Sequence, residues 1–372
     1  MLDSSQKTIA IVINTSWNVY NFRRGLLKAL QKEGYKVVIV APEDDYTEKL
    51  IAEGFFFEPL HLDNDSTNTI RELKLMYELF QIFRRIRPMV ALQYTIKPNI
   101  YGSLSASFLR IPTINNISGL GTVFLSNNLS SLVARGLYWF TQRLAHRVLF
   151  QNYDDMRLFV KYFFVRKSKA VRVPGSGVDT EFFAPRDVKV EPVTFLFIGR
   201  LLKDKGIEEY IEAIRMVKKR HKDVKFQIVG TLYPKNPTAT SKKQLLSWIN
   251  DGLIEYLGHT DDIRTVIANA SCIVLPSYRE GLSRSLLEAA SMAKPLITTD
   301  APGCRDVVED GKTGYICKVK DAKDLSVKIE KMIQLSEKQR EKMGKEGRKK
   351  VISEFSEKII IDKYLHIIKR FN

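Results

Sequence analysis

The chain has 372 residues, long for one hydrophobic core and ample for two. No stretch approaches the ~20 consecutive apolar residues of a membrane-spanning helix, and the apolar run Ile9–Ile13 near the start suits a buried strand better than a signal peptide. Lys and Arg number 59 against 42 Asp and Glu, a net charge of +17, and the three cysteines have no metal-ligand spacing, which fits a reduced cytosolic protein.

The charge is unevenly spread. No acidic residue lies between Glu78 and Asp154. That interval holds Arg84, Arg85, Arg87, Lys97, Arg135 and Arg143, interleaved with Tyr94, Trp139 and Phe140. Such a surface attracts nucleic acid, an anionic membrane or a phosphorylated ligand. No nucleic-acid-binding motif accompanies it, so nucleic acid is not an expected partner.

The chain opens with an apolar strand, TIAIVI, and a polar loop, NTSWNVYNFRR. A helix follows through Leu26, Leu27 and Leu30, and then a second strand, KVVIVA. The alternation predicts the start of a doubly wound parallel sheet. FFFEPLHL reads as a strand, 71–88 as a helix ended by Pro88, MVALQYT as a strand, 99–110 as a helix and TINNIS as a strand. A helix over 132–147, the strand VLFQN, a helix over 154–164 and the short strand AVRVPG complete this half. The Pro, Gly and charges of 174–192 then read as a linker.

The rhythm restarts with TFLFIG and a helix from 207, then KFQIVG, the helix KKQLLSWIN, IEYLG, a helix from 262 and CIVLP. SLLEAASMA is helical, PLITTD and TGYICK are strands, and two lysine-rich helices end the chain. In the last of them Ile360, Tyr364, Ile367 and Ile368 are spaced for packing. The predicted class is therefore α/β, with two Rossmann-like doubly wound domains facing a cleft. The N-terminal domain is expected over 1–182, the C-terminal domain over 183–355, and a terminal helix over 356–372 that packs back on the first domain.

Ligands of such sheets bind outside the carboxyl ends of the strands. Arg200 and Lys205 stand there after TFLFIG, before a helix whose amino end favours an anion, and two cations suit a diphosphate. A solvated charged loop is the plain alternative. After CIVLP, Glu280 sits at a loop tip and Glu288 stands two turns further on in a helix, on the order of 10 Å away by helix rise. That is too far for a carboxylate dyad and suits two hydroxyl-bearing ends of one extended ligand. The plain alternatives are a turn acid and a helix acid paired with a lysine. Asp63-Asn64-Asp65 has an acid-x-acid pattern that metal-dependent sugar transferases use, but its polar context reads as a turn. The histidines lack ligand spacing; only His259 falls on a predicted cleft loop, and packing accounts for His366. No Walker A, GxSxG or full GxGxxG pattern occurs.

GRLLKDKG, VGTLYP, LGHTDDI, PSYREGLSRSLLEAASMAKP and TDAPGCRDVVEDGKTGYIC resemble, in order and spacing, the C-terminal half of the family 4 retaining glycosyltransferases, whose two-Rossmann architecture is called GT-B. PGSGVDTEFF resembles the family's interdomain segment. TIKPNIYG and NISGLGTVF are similar to bacterial members that build capsule, O-antigen or other glycans on polyprenyl diphosphate, most of all the type that adds N-acetylgalactosamine to undecaprenyl-diphosphate-bacillosamine.

The resemblance implies transfer of a hexose or N-acetylhexosamine from a UDP-sugar to a polyprenyl-diphosphate-linked sugar. Glu280, Arg200 and Lys205 would act at the reaction centre, with Arg200 and Lys205 on the donor diphosphate. Glu280 would hold the sugar hydroxyls, and Gly281, Leu282 and Ser283 would offer backbone amides. Glu288 would take the ribose, and the base would lie between Gly230-Thr231 and Gly258-His259-Thr260. Asn18, Phe22, Arg23, Lys97, Ser118, Gly119 and Gly121 are the acceptor-side candidates.

It implies no metal and no separate cofactor, and the helices at 71–87 and 129–147 suit contact with the anionic inner face of the cell membrane. Three departures from the family pattern stand out. Ser283 replaces a frequent proline, the first loop lacks a small-residue pair, and 117–121 lacks a histidine, so no catalytic base is nominated. The alternatives are a nucleotide-sugar epimerase of the same architecture, which would need histidine or carboxylate bases around the sugar, and a nucleotide-binding module without turnover.

Overall fold

The structure is a computed structural model that describes residues 6–64, 66, 68–120, 129–234, 236–260 and 262–371. The chain divides into two compact units: residues 1–176 with 358–372, and residues 177–357.

In the first unit the strands are β1 (Thr8–Val12), β2 (Lys36–Ala41), β3 (Phe56–Pro59), β4 (Val90–Tyr94), β5 (Thr113–Ile117), β6 (Arg147–Phe150) and β7 (Ala170–Arg172). They form one parallel sheet in the order β3-β2-β1-β4-β5-β6-β7. The central strands β4 and β5 are buried along their whole length, as strands covered on both faces are, and this includes the polar Gln93, Asn115 and Asn116. The helices are α1 (Ser16–Phe22), α2 (Arg24–Lys32), α3 (Thr47–Ala52), α4 (Thr69–Ile86), α5 (Ser103–Phe108), α6 (Leu129–Leu144) and α7 (Tyr153–Lys161). A π-helical turn, Pro98–Gly102, leads into α5. Asn68 caps α4 by accepting from Ile70 N at 2.9 Å, and the helix stops at Arg87 before Pro88, as its sequence predicts.

The second unit repeats the plan. Its strands are β8 (Thr194–Ile198), β9 (Lys225–Val229), β10 (Glu255–Tyr256), β11 (Cys272–Leu275), β12 (Leu296–Thr299) and β13 (Gly314–Cys317). All pair in parallel, in the order β10-β9-β8-β11-β12-β13. Its helices are α8 (Ile207–Lys218), α9 (Lys242–Asn250), α10 (Ile263–Ala268), α11 (Arg284–Ser291), α12 (Ala322–Gln334) and α13 (Glu337–Glu354). In both sheets the strand order reverses beside the first strand of the unit, at β1/β4 and at β8/β11, which creates two topological switch points.

The final helix, α14 (Glu357–Ile368), buries Ile360, Tyr364, Ile367 and Ile368 in the core of the first unit. Two details differ from the sequence reading. The unit boundary falls at 176/177 rather than 182/183, because Val178 and Phe183 are part of the second unit's core. Val178 N donates to Phe355 O at 2.9 Å, and Ser291 Oγ to Phe183 O at 2.9 Å. Three helices, not two, follow β13. A capping box at Ser336 and Gln339 starts α13 afresh within the lysine-rich stretch.

Candidate active site

The second unit's switch point is built by loops that press on one another. After β8 the chain buries Leu201 and Leu202, makes a short helical turn over Lys203–Lys205 and starts α8 at Gly206. Gly206 is left-handed, with φ +73°, and a Cβ there would lie 2.1 Å from Pro276 O. Only glycine permits that approach. It brings the β8 loop against the loop after β11, where Tyr278 N donates to Asp204 O at 2.9 Å and Ser277 Oγ to the same carbonyl at 3.1 Å. As a result Lys205 Nζ and Glu280 Oε1, 75 residues apart in sequence, form a hydrogen-bonded ion pair with both side chains largely buried.

The loop after β12 braces this arrangement. Glu280 N donates to Pro302 O at 3.0 Å, and Ser283 N to Gly303 O at 3.0 Å. Gly303 is also left-handed, and a Cβ on it would lie 2.5 Å from Glu280 O. Gly303 N in turn donates to Asp306 Oδ2 at 2.9 Å. Gly303 and Asp306 are the site residues that sequence reasoning missed; the Pro302-Gly303 turn signal was the available clue. Ser283 caps α11 by accepting from Leu286 N at 3.4 Å, a task that proline in its place could not perform.

Glu288, inside α11, accepts from Arg284 Nε at 2.8 Å. Arg284 also donates to Gly177 O. Burial pushes the Glu288 carboxyl above its ordinary range, and the Arg284 charge opposes the shift. Glu280 and Glu288 are thus each matched by a cation of the same unit. Arg200 is exposed, its guanidinium 5.6 Å from the ring centre of Tyr233.

The remaining donor-side candidates lie on the neighbouring strand ends. Gly230 N donates to Gly258 O at 2.8 Å, Leu201 N to Thr231 O at 3.2 Å, and Tyr256 OH to Gly230 O at 2.7 Å. His259 is exposed, while Thr260 Oγ1 accepts from Asp262 N at 3.3 Å within its own turn.

In the first unit the acceptor-side candidates separate. Asn18 lies in the first turn of α1, Arg23 follows the helix as its C-cap, and Phe22 packs edge-on against Trp17 at 5.1 Å. Lys97 donates to Asp63 O at 2.6 Å, Ser66 O at 2.7 Å and Glu72 Oε1 at 2.5 Å, which uses the three N–H groups of its ammonium. It forms part of the wall of a groove of about 500 Å³ with Leu60, Arg71 and Leu75. Asp63 accepts from Arg71 at 3.0 Å and from Ser66 N at 3.3 Å, as a turn acid does; Asp65 lies outside the described residues. Ser118 is exposed and Gly119 has φ +126°. Gly121 lies outside the described residues. No group of three His, Cys, Asp or Glu side chains among the described residues could hold a metal ion.

Residues 178–350 match the family of glycosyl transferases group 1, and residues 8–152 match the glycosyl transferase 4-like family. The chain is a glycosyltransferase.

This glycosyltransferase is 28% identical to the N,N'-diacetylbacillosaminyl-diphospho-undecaprenol alpha-1,3-N-acetylgalactosaminyltransferase of Campylobacter jejuni, over 97% of this chain and 98% of that one. It is 25% identical to the capsular polysaccharide biosynthesis glycosyltransferase CapM of Staphylococcus aureus, over 91% and 90%. Among solved structures, sucrose-phosphate synthase from Thermosynechococcus elongatus shares the fold with a TM-score of 0.83 at 15% identity, covering 98% of this chain and 99% of that one. The Anabaena HepE protein in complex with UDP and glucose gives a TM-score of 0.79 at 16% identity, over 97% and 99%. The fold of this glycosyltransferase is therefore GT-B, with two Rossmann-like domains. No helix among the described residues is long and apolar enough to cross a membrane.

Proposed function

We propose that this glycosyltransferase moves a hexose or N-acetylhexosamine from a UDP-sugar to a polyprenyl-diphosphate-linked sugar, with retention at the anomeric carbon, in the assembly of a bacterial surface polysaccharide or glycan. The observation that carries the reading is the meeting of Lys205 and Glu280 at the β8/β11 switch point. There a cation and a hydroxyl-binding carboxylate stand side by side, as a sugar diphosphate requires. The names of the relatives support the acceptor class.

Lys205 and Arg200 hold the diphosphate, and Glu280 exchanges its lysine partner for sugar hydroxyls. Glu288 serves the ribose, and the loops at Gly230 and Gly258 flank the base. The bond from the anomeric carbon to the diphosphate oxygen breaks, the acceptor hydroxyl oxygen bonds to that carbon, and its proton leaves with the departing phosphate. Lys205 and Arg200 stabilise the charge that develops on the leaving group.

The same reading puts the first unit on the anionic inner face of the membrane. On α6, Val133, Trp139 and Phe140 are exposed, and nearby Phe163 is 73% exposed at a left-handed φ of +57°. Arg143 lies 3.5 Å over the Trp139 ring and donates to Phe163 O at 3.0 and 3.2 Å, so cation and aromatic groups form one surface.

Thermal unfolding with UDP, GDP, ADP, CMP and NAD tests the donor class. UDP alone is expected to raise the midpoint, by roughly 2.7 kcal/mol of stability at a hundred times its dissociation constant. Glu280→Gln is expected to abolish transfer to a lipid-linked acceptor and to leave UDP affinity within several-fold. Near-wild-type turnover in that variant would refute the role of Glu280, and absence of any nucleotide shift would refute the donor.

A further inference from the structure

The other switch point, at β1/β4, holds an unusual cation. Arg23, between α1 and α2, is 6% exposed. Its guanidinium carbon lies 3.6 Å from the ring centre of Tyr94, the last residue of β4 and itself 0% exposed. The hydroxyl of Tyr364, which α14 brings to the same spot, donates to Asn116 Oδ1 on β5. Both tyrosine hydroxyls are held above their ordinary range by burial, and the Arg23 charge opposes the shift.

What Arg23 lacks is a counter-charge. Three other shielded cations have carboxylate partners: Lys205 has Glu280, Arg284 has Glu288 and Lys97 has Glu72. Arg348, with no carboxylate, is capped by the carbonyls of Thr180, Phe183 and Ser291. Among the described residues neither a carboxylate nor a main-chain carbonyl accepts from Arg23, and its Nε is sealed without a partner. Three further buried polar atoms are also without partners, Tyr94 Oη and Thr95 Oγ1 at this strand end and Asn18 Oδ1 on α1. Thr95 follows Tyr94 directly and holds a left-handed φ of +69°. A buried charge is stable only when it is paired. A guanidinium at a switch point, with orphaned acceptors around it, is suited to a phosphate that also carries hydroxyls nearby.

We infer that Arg23 binds a phosphate of the lipid-diphosphate acceptor, and that Tyr364 is a positioning residue for it. The inference rests on the acceptor class proposed above. Tyr364 fixes Asn116 on one side and stands beside the guanidinium on the other, so the last helix of the chain sets the direction in which Arg23 can donate.

The experiment compares two synthetic acceptors that carry the same sugar and lipid, one joined by a diphosphate and one by a neutral linker. For the wild-type protein the diphosphate acceptor is expected to have a KM about 10- to 100-fold lower, the range for charge-assisted hydrogen bonds. In Arg23→Gln the two KM values should come within about twofold, with kcat and the UDP-induced unfolding shift unchanged. In Tyr364→Phe, which keeps the ring in the core, the ratio should shrink about threefold. Inorganic diphosphate should compete with the diphosphate acceptor in wild type and lose that competition in Arg23→Gln, whereas competition that survives the substitution assigns free diphosphate to the donor side.

A ratio unchanged in both variants, or near one in the wild type, overturns the inference. So does an equal rise of KM for both acceptors, which marks a purely structural role. Should Arg23→Gln fail to fold, Tyr364→Phe decides. Failure of the wild-type protein to bind UDP or to use either acceptor counts instead against the functional reading on which this inference rests.

Discussion

The two sheets share one strand order, and each has a cation at its switch point, yet the two points are built in opposite ways. At β8/β11 the backbone comes close. Gly206 and Gly303 occupy left-handed positions that a Cβ would block, and the loops they join bring Lys205 to Glu280. At β1/β4 side chains fill the space. Arg23, Tyr94, Asn116 and Tyr364 pack together from four separate segments, and among the described residues no carboxylate joins them. The first arrangement is paired as it stands, so a ligand has to displace one ion with another. The second is unbalanced, and an incoming anion removes an electrostatic cost that the fold otherwise carries. Topology sets where ligands go, but the local choice between glycine and large side chains sets whether a site starts neutral or charged.

The largest expected effect breaks the glycine-built site. Gly303→Ala introduces a methyl 2.5 Å from Glu280 O at φ +75°, where something must shift. Chemical denaturation should show a loss of about 2–4 kcal/mol, together with loss of UDP binding. An alanine variant with native stability would show that the loops have slack, and that the contrast with the first unit is weaker than the geometry implies.

Next comes the ion pair. Lys205→Ala should weaken UDP about 10- to 100-fold by calorimetric titration and leave uridine unchanged. Equal losses for the two ligands would remove the diphosphate from Lys205.

The smallest expected effect separates the units by partner. Sedimentation with anionic liposomes should capture the protein at low salt and release it as salt rises. Phe163→Ser should reduce capture about three- to tenfold, in line with partial burial of one aromatic side chain, while UDP binding stays intact. Full binding by the variant would take Phe163 out of the membrane-facing surface.

Much of the fold could be read from the chain because both sheets are built from short local units. KKQLLSWIN forms a helix over the expected residues, Lys242–Asn250, and KVVIVA a strand over Lys36–Ala41. The break between α12 and α13 escaped because lysines run through both helices, and only the Ser336 capping box marks it. The Arg284–Glu288 pair follows helical i,i+4 spacing, so a helix acid with a basic partner was foreseeable. The Lys205–Glu280 pair was not, because it depends on which strands are neighbours. Still less legible was the cluster around Arg23, where Asn116 and Tyr364 meet across 248 residues and no local period links them.

The placement of α14 has a consequence for how the molecule comes into being. The first unit is interrupted by residues 177–357 and resumes only at 358. During synthesis, at roughly 5–20 residues per second, the second unit is fully made before the first can place Ile360, Tyr364, Ile367 and Ile368 in its core. The nascent protein therefore passes through a stage in which the second unit is finished while the first still lacks its closing segment. A chain stopped shortly before residue 358 would hold a complete second unit and no Tyr364. Ordered assembly on the ribosome thus withholds the completed core of the first unit, and the surroundings of Arg23, until the C-terminal helix is made.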